Sequence, residues 1–493
     1  MIPPSAWRGN GAFGRLVRGG RAWLVAYGLA GLTACGPEVP EAAPSLLLMS
    51  FDTLRADALG AYGNELETSP NLDALAAEGV VFEQAFTHSP KTAPAHLSML
   101  TGLYPRTHRV GNLQTAGDER LSPDVPTLAE RLAAEGFRTA GFTDGGNITG
   151  RLGFDRGFER FTDRHVPFTT RLTDALRWIE DEGSEAASWF AFVHTYAIHD
   201  PYLPAARFRD RFVSSGYQGE LTGDREELER RIANGDDRAP NVSPGRKLVS
   251  NFWRRQALQS PEDYAYLHQL YLAGVAQADA EWGRFLRRFD GLEDAASTFV
   301  VATSDHGEEF GEHGRTRHDQ LYEEVLRVPL LLRAPDRLWA GRRVEFAVRH
   351  VDLVPSLLEL LGISGPKAPG LIQGRSWAGA LGQAAPLESD RPVFAEHRSL
   401  RDNDLDLWVL REGQRSVHLS REGRQAFELG EDPQERFALE REPDWAGPLA
   451  LEVEQRIARL SAASAQLRVS KAVGATSERT QQELEMLGYM EEP

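Results

Sequence analysis

The chain has 493 residues, 41% of them hydrophobic and 26% charged, which is enough apolar material for a large buried core and too much for a disordered chain. A net charge of −17, from 55 basic and 72 acidic side chains, argues against a nucleic-acid partner, because neutralising phosphates needs a basic face. The single cysteine, Cys35, excludes an intramolecular disulfide, a cysteine-rich zinc site and an iron–sulfur cluster within one chain.

Residues 1–34 carry Arg8, Arg15, Arg18 and Arg21 and no acid. The apolar run that follows, Ala22 to Ala34, is about half of what a bilayer-spanning helix needs and fits the apolar region of a secretory signal. It closes in Leu32-Thr33-Ala34-Cys35-Gly36, which resembles a bacterial lipobox. That resemblance implies a signal peptide over 1–34 and a lipid on Cys35, which becomes the mature N-terminus. The mature chain is then expected at the membrane through this anchor, in the cell envelope on the extracytoplasmic side, in the periplasm or at the outer membrane. Residues 35–44, rich in Pro, Ala and Glu and without periodicity, read as a tether. Taking the four arginines off −17 leaves −21 on the mature chain.

From Ser45 onward, strand-like apolar runs alternate with helix-period segments, the pattern of an α/β sheet with helices on its faces. Ser45 to Ser50 is a buried strand that stops at Asp52. Ser69-Pro70-Asn71 opens a short helix by capping logic, with Leu72, Leu75 and Ala76 on one face. Pro126 to Glu135 is a helix with Leu128, Leu132 and Ala133 inward, closed by Gly136 and followed by a strand near Phe137 to Phe142. Further strands are predicted at Trp189 to Val193, at Thr298 to Thr303, stopping at Asp305, and at Val328 to Leu332. Val351 to Leu361 is a helix ended by Gly362. Residues 205–262 are polar and read as an insertion over the sheet edge, mostly solvated helix and loop.

A catalytic domain is thus expected over 45–365, and a smaller C-terminal α+β subdomain over 366–493. In the latter, Val393 to His397, Leu407 to Arg411 and Arg415 to Leu419 suit a small antiparallel sheet. Ser477 to Tyr489 reads as a polar tail helix.

Asp52 and Asp305 both sit just past the ends of buried strands, the sheet edge where ligands bind in open α/β folds. Either aspartate alone is as well explained as a turn former. His306 beside Asp305 adds a nitrogen donor, and Asp with His suits a divalent metal. Thr92, in Lys91-Thr92-Ala93-Pro94-Ala95-His96, precedes a helix; it reads either as an N-cap or as a hydroxyl poised where the helix dipole favours an anionic group.

These residues resemble the sulfatase family of the alkaline phosphatase superfamily. The resemblance rests on Asp52-Thr53-Leu54-Arg55-Ala56-Asp57, Ser69-Pro70-Asn71-Leu72-Asp73, Thr92-Ala93-Pro94-Ala95-His96 with Leu100-Thr101-Gly102-Leu103-Tyr104-Pro105, His199-Asp200-Pro201-Tyr202, Ser304-Asp305-His306-Gly307-Glu308, and Leu321-Tyr322-Glu323-Glu324. It implies a large mixed β-sheet flanked by helices and one divalent metal ion, calcium, manganese or zinc, held by Asp52, Asp305 and His306 with Thr92 as a further ligand. It also implies that His199 and His318 stand near the ester, that His96 holds the nucleophile, and that Asn147 contacts substrate. On local grounds alone, His199 suits a backbone cap, His318 a surface position, and Asn147 a left-handed turn residue.

His96 stands where the family usually carries an arginine, His318 where many members have a lysine, and Asn147 in the stretch where others place a lysine and histidine; the departure that matters is at position 92. Classical sulfatases convert a cysteine or serine to formylglycine where this chain has Thr92. Threonine cannot give that aldehyde, because its β-carbon bears a methyl, so no formylglycine is expected. A nucleophilic Thr92 must form a covalent sulfo- or phosphothreonine instead.

The leading expectation is therefore a metal-dependent hydrolase of sulfate esters, with an anionic ester, a glycan sulfate or phosphate ester, as its partner. A phosphomonoester, phosphodiester or phosphonate hydrolase or phosphoryl-group transferase is the alternative, and a non-catalytic envelope binding lipoprotein the third. Positive charge to draw in the anion would come from the metal, the Thr92 helix end and the histidines.

Overall fold

The computed structural model describes residues 43–113, 119–219, 221–227, 230, 260–363, 371–382, 391–397, 406–472 and 481. The predicted signal peptide, Cys35, nearly all of the tether and, apart from residue 481, the predicted tail helix lie outside the described residues. No helix of the described part is long and apolar enough to cross a membrane.

Alternation along the first strand, β1 (Ser45–Phe51), explains the layering. Leu47, Met49 and Phe51 point to one apolar layer and Leu46 and Leu48 to another, so β1 is buried on both faces. Around it lie β2 (Val80–Phe82), β3 (Arg138–Thr143), β4 (Arg160–Asp163), β5 (Trp189–Thr195), β6 (Thr298–Thr303), β7 (Leu330–Arg333) and β8 (Arg342–Val344). The eight strands run in the order β8-β2-β7-β6-β1-β5-β3-β4. β6, β1, β5, β3 and β4 are mutually parallel, and β7 is antiparallel to both β6 and β2, so the sheet is mixed. Helices α1 (Pro70–Ala77), α4 (Phe168–Asp181) and α5 (Pro261–Phe289) cover one face, and α2 (Thr92–Thr101), α3 (Leu128–Ala134) and α6 (Leu353–Leu360) the other.

A smaller β-rich subdomain follows, with strands β9 (Val393–His397), β10 (Leu407–Glu412), β11 (Arg415–Ser420) and β12 (Gly423–Glu428) in an antiparallel meander. Helix α7 (Ala446–Ala465) packs on it through Ala446, Leu449, Ala450 and Val453.

Several predicted details change. Ala133 faces solvent, and Arg131 joins Leu132 as a buried residue at that end of α3. The Val328–Leu332 strand divides at Pro329, which has no N–H for the ladder; Arg327–Val328 pairs with Ala85–Phe86 in a separate small sheet, while Leu330 starts β7. Ser69 does not cap α1. Its hydroxyl bonds Asp73, and the free amides of Asn71 and Leu72 are taken by Asp279 of α5 at 2.8–3.2 Å. The 29-residue α5, opened by a Ser260–Asp263 capping box, was not foreseen, and it forms much of one core layer. Of the polar insertion, the described helix Ala206–Phe212 is anchored to α5 by Phe208 against Ala273 and Ala276.

His88 ties the subdomain to the main body. Its Nδ1 donates to the Phe394 carbonyl of β9 at 2.6 Å, and its Nε2 accepts from Val351 N at 3.4 Å. Accepting at Nε2 requires the neutral ring, and burial pushes its pKa from 6.5 to about 3. Between those values the unfolded chain binds a proton that the native state refuses, so this stability is complete above 6.5 and is lost as pH falls toward 3. His88→Gln is expected to flatten the acid limb, read as urea midpoints at about pH 7, 5 and 4. An unchanged slope would count against His88 as its source.

Candidate active site

Ser50 of β1 is in register with Thr303 of β6 and with His194 of β5. Three parallel strands therefore end together, and Asp52 and Asp305 leave the sheet side by side. Both are fully buried. Burial pushes both carboxyls up, Asp305 to about 7, and each lies within hydrogen-bonding reach of the other. Two such groups do not both ionise in a dry site without a cation.

Thr53, next to Asp52, is β-branched and has φ of 60°, a conformation that costs about 1–3 kcal/mol. It is held on both sides: its N–H donates to Asp305 Oδ1 at 3.2 Å, and its carbonyl accepts from Tyr271 of α5 at 3.0 Å. The same Tyr271 oxygen accepts from Arg55 N at 2.8 Å, so α5 braces the turn that presents Asp52.

His306 is fully buried, and its Nδ1 donates to the Gly307 carbonyl at 3.0 Å, which leaves the lone pair on Nε2, the tautomer a metal ligand needs. Gly307 is required here, because a Cβ would meet the Glu324 carbonyl oxygen at 1.9 Å. Asp52 Oδ1, Asp305 Oδ2 and His306 Nε2 are buried without hydrogen-bond partners among the described residues, and the three residues each bring a ligand atom within 4.8 Å of the others. Two carboxylates and an imidazole converging with unsatisfied lone pairs fit a divalent cation.

Helix α2 begins at Thr92 itself, with Lys91 in the cap position and no capping side chain. The N-cap reading of Thr92 is thus corrected: its hydroxyl hydrogen-bonds the Asp52 carboxyl and opposes the upward push that burial gives it. All ten residues of α2 are buried, which fixes the hydroxyl rigidly. His96, one turn on, bridges the Thr92 carbonyl (2.8 Å) and Ser50 Oγ (2.8 Å), with Nδ1 also 3.5 Å from Asp305 Oδ2. Burial holds it at about 3, hence neutral.

His318 is buried, which overturns the surface reading. Its Nδ1 donates to the Pro90 carbonyl at 2.8 Å and its ring lies 4.4 Å from His306. His199 is buried too, with Nδ1 bonded to the Asp200 carbonyl at 2.7 Å and its ring 5.6 Å from His318. Burial pushes His199 down to about 4 and His318 well below its ordinary value. The expectation that the histidines supply positive charge is thereby corrected. That charge sits on Lys91, paired with Asp319, and on Arg317, paired with Asp200, both of which face these rings.

Asn147 is buried but not left-handed; Gly145 and Gly146 take that conformation, with φ of 73° and 58°. Its backbone N–H meets the Tyr196 hydroxyl at 3.2 Å, and the Tyr196 ring packs on both His194 and His199. Asn147 Oδ1 accepts from Leu113 N, while Nδ2 has no hydrogen-bond partner among the described residues.

The structure thus gathers Asp52, Thr92, His96, His199, Asp305, His306 and His318, with Asn147 joined through Tyr196. Sequence reasoning missed His194, whose Nε2 is 3.3 Å from Asp52 Oδ2 and whose ring stands 5.0 Å from His96. The predicted strand stopped one residue short of it; the alternation Phe190, Phe192, His194 on the α2 face was the available signal.

A sequence model of the family described as Sulfatase matches residues 44–363. The chain is 24% identical over 397 residues to an N-acetylglucosamine-6-O-sulfatase of Bacteroides thetaiotaomicron, covering 68% of this chain and 70% of that one. It is 28% identical over 386 residues to an ulvan-active sulfatase of Formosa agariphila, covering 71% and 67%. Among solved structures, one in complex with its substrate D-glucosamine-2-N,6-O-disulfate aligns with a TM-score of 0.66 at 19% identity, over 86% of this chain and 98% of that one. A phosphonate monoester hydrolase of Agrobacterium radiobacter aligns with a TM-score of 0.65 at 21% identity, over 85% and 96%.

Proposed function

Because the chain belongs to the sulfatase family, we propose that it hydrolyses sulfate esters of glycans with Thr92 as the nucleophile. The observation that carries this reading is the Thr92 hydroxyl, fixed at the start of a buried helix and bonded to Asp52 beside unpaired buried metal-ligand atoms. The relatives named for glycan sulfates support the substrate class. A divalent cation held by Asp52, Asp305 and His306, with Thr92 as a further ligand, supplies a Lewis acid for the ester and lowers the pKa of the hydroxyl. The imidazole donor favours manganese or zinc over calcium.

The chain's own residues do the rest. Thr92 Oγ1 bonds to sulfur as the bond from sulfur to the leaving oxygen breaks, and its proton passes to Asp52. His96 pins the first turn of α2 so that the attack stays in line. The bound anion favours the imidazolium form of His199 or His318, which then protonates the leaving oxygen. Lys91 and Arg317 hold positive charge nearby, and the Asn147 amide is a donor for an ester oxygen. Water next attacks the sulfur of sulfothreonine, the bond to Oγ1 breaks, and sulfate departs as Thr92 regains a proton. The Cys35 segment supports lipid anchoring of the mature chain in the cell envelope.

A second reading, hydrolysis of phosphate or phosphonate esters or phosphoryl transfer, is favoured by threonine and His306 in place of a formylglycine precursor. One panel separates the two: aryl sulfate, phosphate mono- and diesters and a phosphonate monoester, each with calcium, manganese or zinc. The expected result is metal-dependent turnover with kcat/KM for the sulfate at least about tenfold above the rest. The reverse order would transfer the assignment to phosphorus, and no turnover with any pair would favour the non-catalytic binding lipoprotein.

A further inference from the structure

A cavity of about 360 Å³ opens between residues 315–322 and strands β10 to β12, a size at the lower end of small-molecule sites. One wall is Asp319, which pairs with Lys91, the residue before Thr92, and follows His318 in the chain. The cavity therefore begins one residue away from the groups facing the ester.

Its other walls hold planar rings with polar edges, beside aliphatic Leu407, Val409 and Leu419 and the Glu422 carboxylate. Trp408 and Tyr322 are half-buried, His418 stacks on Tyr322 at 4.8 Å, and the Tyr322 hydroxyl donates to Gln425 Oε1 at 3.3 Å. The Trp408 indole N–H is buried with no acceptor among the described residues. Flat apolar faces edged with donors and acceptors match a sugar ring, which has C–H faces and a hydroxyl rim. At the mouth, Arg424 is paired with Glu442, whereas Arg315 is exposed and forms no ion pair among the described residues. An unpaired guanidinium there suits a sulfate or carboxylate, which it binds through two parallel hydrogen bonds.

We propose that this cavity receives the sugar ring on the leaving side of the ester, and that Arg315 selects rings carrying a second anionic substituent. The proposal rests on the sulfate-ester reading of the site, which it deepens. The full chain, Arg315→Gln and Trp408→Ala are to be compared on 4-nitrophenyl sulfate, glucosamine 6-sulfate and glucosamine-2-N,6-O-disulfate. Arg315→Gln is expected to lower kcat/KM about tenfold on the disulfate alone, and Trp408→Ala about tenfold on both sugars, with the aryl ester within about twofold throughout. Equal losses on all three substrates, or none, would overturn the subsite and leave the hydrolase reading standing. If the unmodified chain cleaves none of them, the sulfate-ester reading fails, and the subsite is read by calorimetric titration with the disulfate. Weaker binding in Arg315→Gln then sustains it, while absent or unchanged binding overturns it.

Discussion

Thr92→Ala is expected to lower kcat/KM on a sulfate ester by about four orders of magnitude or more, the scale seen when a nucleophile is deleted. The melting temperature should move little, because the change removes one hydroxyl and leaves the burial of α2 and the hydrogen bonds of His96 in place. Thr92→Ser keeps the oxygen and should stay within about tenfold of the parent, since only a methyl group is lost. Rapid quenching of the parent with substrate should trap an intact-mass increase of one SO₃ group on the peptide holding Thr92, absent from the alanine variant. Full turnover by Thr92→Ala would sink the nucleophile assignment. A loss of activity without any adduct in the parent would reduce Thr92 to a positioning role.

The second large effect concerns Asp52 and Asp305. Without a cation this pair is stored strain: two buried carboxyls, one raised to about 7, each with one oxygen unpaired among the described residues. Manganese or zinc at about a thousandfold excess over Kd should stabilise the chelator-treated protein by about 4 kcal/mol. Asp305→Asn should abolish that response and most of the activity, yet be at least as stable as the parent in the absence of metal, because it removes a buried charge that lacks a counter-ion. Thermal melts with and without chelator read both effects. An equal metal response in the parent and in Asp305→Asn would remove these residues from the metal site.

Much of this was local and therefore legible. Buried strands that stop at Asp52 and Asp305 show as apolar runs ending in an acid, and the helix after Lys91 has Pro94 in its first turn and left-handed Gly102 at its end. The three strand segments of the C-terminal meander likewise announce themselves by alternation; the fourth, β12, has exposed Gly423, Arg424 and Gln425 and does not. Helix α5 escaped because its start abuts the polar insertion and its burial is set by α1, α4 and the sheet rather than by a one-sided stripe.

The sequence by itself determined the fold class and the order of the motifs, since both depend on residue type and short-range periodicity. Only the tertiary structure decided which groups meet and in which charge state. Register across β5, β1 and β6 brings His194 to Asp52 over 142 residues of chain, and Tyr271 reaches Thr53 from a helix 218 residues away. Burial then neutralises the histidines and leaves the positive charge on Lys91 and Arg317. Desolvation is a property of the assembled surroundings, and no spacing in the chain records it.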